Sequence, residues 1–329
     1  MNNNNYNFLV RSTIFVILFL FIKIGFCSAA TIISPLLDFE ANPGEIQNGV
    51  VKIFNETNQD IYLKSSIEVF SASGELGQPV YLPGSEKNKF LDWFELSQDS
   101  ILLKSNQVVI VPFSISIPES ALPGGYYAVI FWETVSDRDN DNVPLKISSR
   151  VGTLIFLKVK GDVKEDAELL DFYVMPIRKY FFGFPLNFIV RLSNNGNIHI
   201  RPSIEVSFKN KFGLNETFKM NESNNYILPE SIRRFELFWG NKDMEVNFFG
   251  KFLSGLKQEI SKKPFGKHTA ILNISYGIEN QRNITERIDF WFFPWRLLVS
   301  FSILSLILTA FFYINVKVNK LKKWCKKVE

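Results

Sequence analysis

The chain has 329 residues, 46% of them hydrophobic and 21% charged, with a formal net charge of +4. Six lysines (Lys317, Lys320, Lys322, Lys323, Lys326 and Lys327) lie in the last 13 residues, so the remainder is near neutral and offers no basic patch for nucleic acid. The two cysteines, Cys27 and Cys325, fall outside the expected folded region, which excludes a disulfide there and leaves stability to packed cores.

At the N-terminus, Arg11 precedes an apolar run from Ile14 to Ile22, followed by Lys23 and the small-residue stretch Cys27, Ser28, Ala29 and Ala30. This order of charged, apolar and small residues predicts a signal peptide over residues 1–30, cleaved after Ala29 or Ala30. The apolar run is too short to span a bilayer, which takes about 20 residues. Bulky Phe26 before Cys27 argues against lipidation at that cysteine.

From there to residue 293 the apolar residues recur with period two. Val111, Phe113, Ile115 and Ile117 alternate with Pro112, Ser114 and Ser116, and residues 49–54, 61–70, 126–135 and 151–160 read as similar strands. Short strands separated by turn residues predict a sandwich or barrel. Residues 71–100 break the alternation with Gly74, Gly77, Pro79, Pro83 and Gly84 and carry four aromatics, Tyr81, Phe90, Trp93 and Phe94. A segment of that length is expected to be functional or disordered. Its aromatics either cap one end of a core or form a platform, and they are the candidate binding surface.

The region also repeats itself. A strand runs into the turn Asn55, Glu56, Thr57, Asn58, and further on residues 188–192 run into Ser193, Asn194, Asn195, Gly196, Asn197. Pro123, Gly124 and Gly125 open one strand; Pro264, Phe265 and Gly266 open another. Both offsets are near 140 residues, which predicts two related domains, residues 31–162 and 163–293, with the boundary in the charged stretch 161–168. Leu-Leu-Asp-Phe occurs at residues 36–39 and again at 169–172, and reads as the first strand of each.

Residues 297–316 contain no charge and are long enough to cross a hydrocarbon core as a helix. Trp291, Trp295 and Arg296 stand at one end, and Tyr313 and the lysines at the other. That distribution predicts a single-pass cell-membrane protein with its domains outside and the basic tail, residues 317–329, in the cytoplasm. The tail could also attract anionic lipid head groups.

Signal peptide, tandem β-domains, one C-terminal helix and a lysine tail form an order that resembles the WxL-interacting surface proteins of Gram-positive bacteria. The first domain carries the likeness over about 130 residues: a proline-containing opening strand with Ser34 and Pro35, then Asn42, Pro43 and Gly44; the passage VKIFNETNQDIYL; and IPESALPGGYYAVIF, in which Pro-Gly-Gly-Tyr-Tyr opens a strand. The resemblance implies two tandem immunoglobulin-like β-sandwiches, peptidoglycan contact by the first and partner-protein contact by the second. In the second, LSNNGNIHIRPSIEV looks like the turn and strand of many bacterial immunoglobulin-like repeats, including adhesion and chaperone-like modules.

Signatures of chemistry are sparse. His199 and His268 have no G-x-S-x-G, H-E-x-x-H or Cys/His companion and read as structural. Asp137, Asp139 and Asp141 alternate as in a calcium loop, but Asn142 and Ser148 stand where an EF-hand needs Gly and Glu, so the segment reads as a solvated tip. Five Asn-x-Ser/Thr triplets begin at Asn55, Asn215, Asn221, Asn273 and Asn283. No catalytic, cofactor-binding or metal residue is assigned and no cofactor is expected. The expected function is a membrane-anchored extracytoplasmic binding or structural protein, not an enzyme, that contacts cell-wall polymer or surface protein partners. The alternative is a cell-envelope enzyme with catalytic residues in loops and no recognisable motif.

Overall fold

The computed structural model describes residues 30–82, 89–134, 149–241, 247–262, 264–277 and 281–328. The expected leader, apart from Ala30, and the Asp137 to Asp141 segment lie outside the described residues. Eighteen strands, one 3-10 turn and two helices follow in chain order among them.

The first ten strands are β1 (Ala30–Ile32), β2 (Leu36–Ala41), β3 (Ile46–Asn55), β4 (Ile61–Ser73), β5 (Gln78–Tyr81), β6 (Phe94–Leu96), β7 (Ser100–Leu103), β8 (Val108–Ser116), β9 (Gly124–Thr134) and β10 (Arg150–Val159). They form two sheets, one ordered β1-β3-β8-β6 and the other β2-β10-β9-β4-β5, with β7 beside β4. Alternation decides what meets between them. Val111, Phe113 and Ile115 of β8 point into a core shared with Val51 and Ile53 of β3, Ile130 and Trp132 of β9 and Leu157 of β10, while Pro112 faces solvent.

The next eight strands are β11 (Ala167–Met175), β12 (Tyr180–Phe181), β13 (Leu186–Asn194), β14 (Ser203–Asn210), β15 (Asn215–Lys219), β16 (Ser231–Trp239), β17 (Gly266–Tyr276) and β18 (Arg282–Phe292). They build a three-stranded sheet, β11-β13-β16, and a five-stranded sheet, β12-β18-β17-β14-β15. Their separate core centres on Phe188, Phe208, Trp239 and Phe290, with the rings of Phe208 and Trp239 stacked at 4.5 Å.

Each group opens in the same way. β1 pairs antiparallel with β3, then the chain changes sheets and β2 pairs parallel with β10. β11 likewise pairs with β13 before β12 crosses to pair parallel with β18. Proline marks both crossings, Pro35 and Pro176, where a residue without an N–H ends one ladder at no cost to the next. Two expectations are corrected here. The proline-containing opening segment is two strands in different sheets. The Leu-Leu-Asp-Phe copies are not equivalent, since residues 36–39 lie in β2 and residues 169–172 in β11.

Two parts of the 71–100 stretch take regular structure. Gly74 and Gly77, at φ of 61° and 66°, close the β4–β5 hairpin, and a 3-10 turn over Leu91–Trp93 leads into β6. The charged stretch between β10 and β11 is held rather than free: Lys164 N–H donates to the Asn197 side chain at 2.7 Å, and Asn195 N–H to the Asp166 carbonyl at 2.7 Å.

The first helix, α1 (Phe248–Lys262), is inserted between β16 and β17, and the second, α2 (Trp295–Val328), follows β18. Residues Trp295–Val318 are long and apolar enough to cross a membrane, and none of that stretch is buried inside the protein. The Glu259 carboxylate of α1, fully buried, accepts the Leu297 N–H at 2.9 Å and so caps the first turn of α2 from outside.

Candidate functional site: the cleft between the sheet pairs

The two sheet pairs meet along a third apolar cluster. Phe70, Val129, Phe131 and Phe156 from the first and Leu228 from the second are buried in it, with Tyr81, Tyr127 and Tyr226 partly covered around them. The β4–β5 hairpin reaches across: Glu75 accepts from Arg191 Nε at 3.0 Å, and its carbonyl takes the Arg234 N–H at 2.7 Å. Gly77 lets Arg233 pass. A Cβ there would stand 2.5 Å from the guanidinium, which donates to the Tyr226 carbonyl at 2.7 Å. On the far side of the junction Gly125 N–H donates to the Asn197 carbonyl at 2.8 Å.

Beside this seam lies a polar network shared by both groups. His199, with 7% of its side chain exposed, sets Nε2 3.3 Å from Asp38 Oδ1 and Nδ1 3.2 Å from the Tyr127 hydroxyl. Tyr226 donates to the other oxygen of Asp38 at 2.9 Å. The rings of His199, Phe156 and Tyr226 pack mutually, His199 at centroid distances of 5.0 and 5.2 Å from the other two and those two 5.1 Å apart. Burial opposes the charge of Asp38, but its hydrogen bonds to His199 and Tyr226, the charge of His199 and the nearby Arg201 outweigh that and hold the carboxyl below its usual range. Burial also pushes the Tyr127 and Tyr226 hydroxyls up, so both remain neutral.

An acid, an imidazole and a hydroxyl in line would suit a nucleophilic relay, but the hydroxyls here are two phenols, and both ring nitrogens already face partners in the seam. The arrangement joins two bodies. Asp38 and Tyr127 come from β2 and β9, while His199 and Tyr226 come from segments flanking β14 and preceding β16.

The network floors an open cleft of about 760 Å³. Glu40, Lys158, Glu165, Arg201, Lys219 and Glu222 line its walls, giving charges of both signs within one concavity. Lys158 lies 3.5 Å from Glu40. Among the described residues no group of three or more His, Cys, Asp or Glu side chains is placed to hold a metal ion.

The structure separates the four aromatics singled out from the sequence. Phe90 is buried in the first core, 5.2 Å from the rings of Trp93, Phe94 and Tyr126, and Trp93 and Phe94 pack half-buried beside it. Tyr81 lies in the junction instead, edge-on to Phe131 at 4.8 Å. The four therefore do not share one surface.

His268 is fully buried. Its Nδ1 donates to the Gly266 carbonyl at 3.0 Å, its Nε2 accepts from the Asn210 amide at 3.1 Å, and burial lowers its pKa. Of the Asn-x-Ser/Thr triplets, Asn55 and Asn221 are buried with their amides donating to backbone carbonyls, while Asn215, Asn273 and Asn283 are exposed on strands.

Sequence reasoning missed Asp38, Tyr127, Arg201 and Tyr226. Asp38 and Tyr127 sit in ordinary strand patterns, and the pairing of residues 188 positions apart leaves no local signal.

A scan against protein-family models finds no match, and no curated protein matches. Solved structures similar in arrangement include the class 5 fimbriae chaperone CfaA, at 12% identity over 78% of this chain and 98% of that one, TM-score 0.39. The CupB2 chaperone of Pseudomonas aeruginosa is 10% identical over 79% and 100%, TM-score 0.36. The DraB chaperone of E. coli is 11% identical over 80% and 97%, TM-score 0.35. At TM-scores this low no role is carried across from them.

Proposed function

We propose that this chain is a membrane-anchored extracytoplasmic binding protein, not an enzyme. In this reading residues 31–162 and 163–293 are two immunoglobulin-like domains joined as one body, and α2 tethers them to the outer face of the cell membrane with the lysine-rich tail inside. The ligand is a polar polymer or a polypeptide of a surface protein, held in the interdomain cleft. The observation that carries this reading is the cleft itself: side chains of both signs line a concavity whose floor is fixed by the Asp38, His199 and Tyr226 network. A fixed, charge-lined groove suits recognition of a partner that also carries both signs, since complementary charge sets register and excludes mismatched partners. Peptidoglycan and wall-associated proteins are the first candidates, in line with the resemblance to WxL-interacting surface proteins.

The test is capture of purified cell-wall polymer and of solubilised surface proteins by the detergent-solubilised full chain, with Arg201→Glu and Lys219→Glu together as the cleft variant. The expected outcome is retention by the native chain and loss by the variant at unchanged thermal stability. Equal retention by both would place binding elsewhere.

A further inference from the structure

The α1 helix presents an apolar face that the protein leaves uncovered. Phe249, Leu253 and Ile260 are 69%, 47% and 58% exposed. At about 100° per residue they fall within roughly 40° of one another on the helix surface. The opposite side is committed to the body: Gln258 exchanges two hydrogen bonds with Asn241, at 2.9 and 3.0 Å, and Gly255 lets the Arg296 guanidinium lie against the helix, where a Cβ would come within 2.3 Å.

The position of this face is set by α2. Phe252 packs edge-on against Trp295 at 5.8 Å, and Glu259 caps α2 at Leu297, so α1 is held at the level where the apolar run begins. Other aromatics gather at the same end. Tyr180 and Phe182, 48% and 53% exposed, lie 6.2 and 5.9 Å from Phe293, which stacks on Trp291. Lys251 and Lys257 are exposed on the same helix.

We infer that α1 is a second membrane contact, an amphipathic helix whose Phe249, Leu253 and Ile260 face enters the outer lipid surface beside the point where α2 crosses. The inference rests on the reading of α2 as a membrane-spanning anchor. Three features favour lipid over a protein partner as the occupant. The helix that carries the apolar face is fastened to the first turn of α2 by Phe252 and Glu259. Aromatic rings cluster where a bilayer has its interface, and lysines accompany the apolar stripe as they do on interfacial helices. With two contacts to one bilayer, the sheet pairs would stand at a set angle to the membrane rather than swivel about a single helix.

The test uses the full chain with Cys27→Ser and Cys325→Ser, reconstituted in phosphatidylcholine vesicles and carrying one fluorophore on Leu253→Cys, Leu306→Cys or Tyr62→Cys. Lipids bearing a doxyl quencher either near the head group or deep in the acyl chain report depth. Leu306, in the middle of α2, is expected to be quenched by the deep lipid and Leu253 by the shallow one, with Tyr62, exposed on β4, unquenched. Quenching at Leu306 without quenching at Leu253 overturns the inference and leaves the anchor standing. An unquenched Leu306 overturns the anchor, and the inference with it. Equal quenching at Tyr62 and Leu253 also overturns the inference, because the whole body would then lie on the lipid.

Discussion

Asn55 and Asn194 do the same work in the two sheet pairs. Each ends the strand that runs beside the first, β3 or β13, and each is fully buried. The side-chain oxygen takes the N–H two residues on, Thr57 or Gly196, at 2.9 Å, and the amide donates to the carbonyl four residues on, Gln59 or Ile198, at 2.8 Å. The same amide reaches a segment distant in sequence, at Leu103 in β7 or at Ile227 before β16. One asparagine thus folds its own turn and stitches it to the rest of its sandwich.

Replacing either residue by alanine strands several buried carbonyls. Asn55→Ala and Asn194→Ala are each expected to cost about 1–3 kcal/mol, read from denaturant unfolding. The two sites share no partners, so the double variant should lose the sum of the single losses.

Asp38 binds the two bodies through His199 and Tyr226. Asp38→Ala leaves both without their acceptor and is expected to cost about 1–3 kcal/mol. It should also speed proteolysis in the stretch between β10 and β11, where opening of the junction exposes the chain. Unchanged cleavage there would show that the apolar seam alone keeps the bodies together.

His268 is held neutral by burial, so its folded pKa lies below the usual value near 6.5. Below that value the unfolded chain takes up a proton that the folded one refuses. Stability is therefore expected to fall as pH drops below about 6.5, down to the lowered pKa, and His268→Gln should flatten that part of the profile. The measurement is unfolding free energy across pH. Asp38 acts lower: its carboxylate, held below the usual range, contributes stability above about 3.9 that is lost on further acidification.

Phe90→Ala removes a buried ring at the end of the first core and is expected to cost about 3–5 kcal/mol. Tyr81→Ala acts on the junction rather than that core, so it should raise susceptibility between β10 and β11 while leaving the β1-to-β10 core intact by hydrogen exchange. Trp93→Ala, half-buried beside Phe90, is the variant in which core and surface roles separate: lost stability marks the former, lost partner capture at full stability the latter.

What was legible in the sequence is what local chemistry encodes. Period-two alternation placed the strands around Val111 and Ile130, because side chains on a pleated strand point alternately to either face. The Asn-rich turns and the glycine entries at Gly124 and Gly266 pointed to an internal repeat, because such turns draw on few residue types. The charge-free run in α2 needed only its length. Tertiary structure decided the rest. It separated Tyr81 from Phe90 and broke the opening segment across two sheets at Pro35. It showed the Leu-Leu-Asp-Phe match to be accidental, and it filled the expected loop with a hairpin that reaches Arg191. It also joined Asp38 to His199 and Tyr226 and fastened α1 to the start of α2. Each of these depends on which strand neighbours which, and that is set by burial summed over residues far apart in the chain, a quantity no local window of sequence contains.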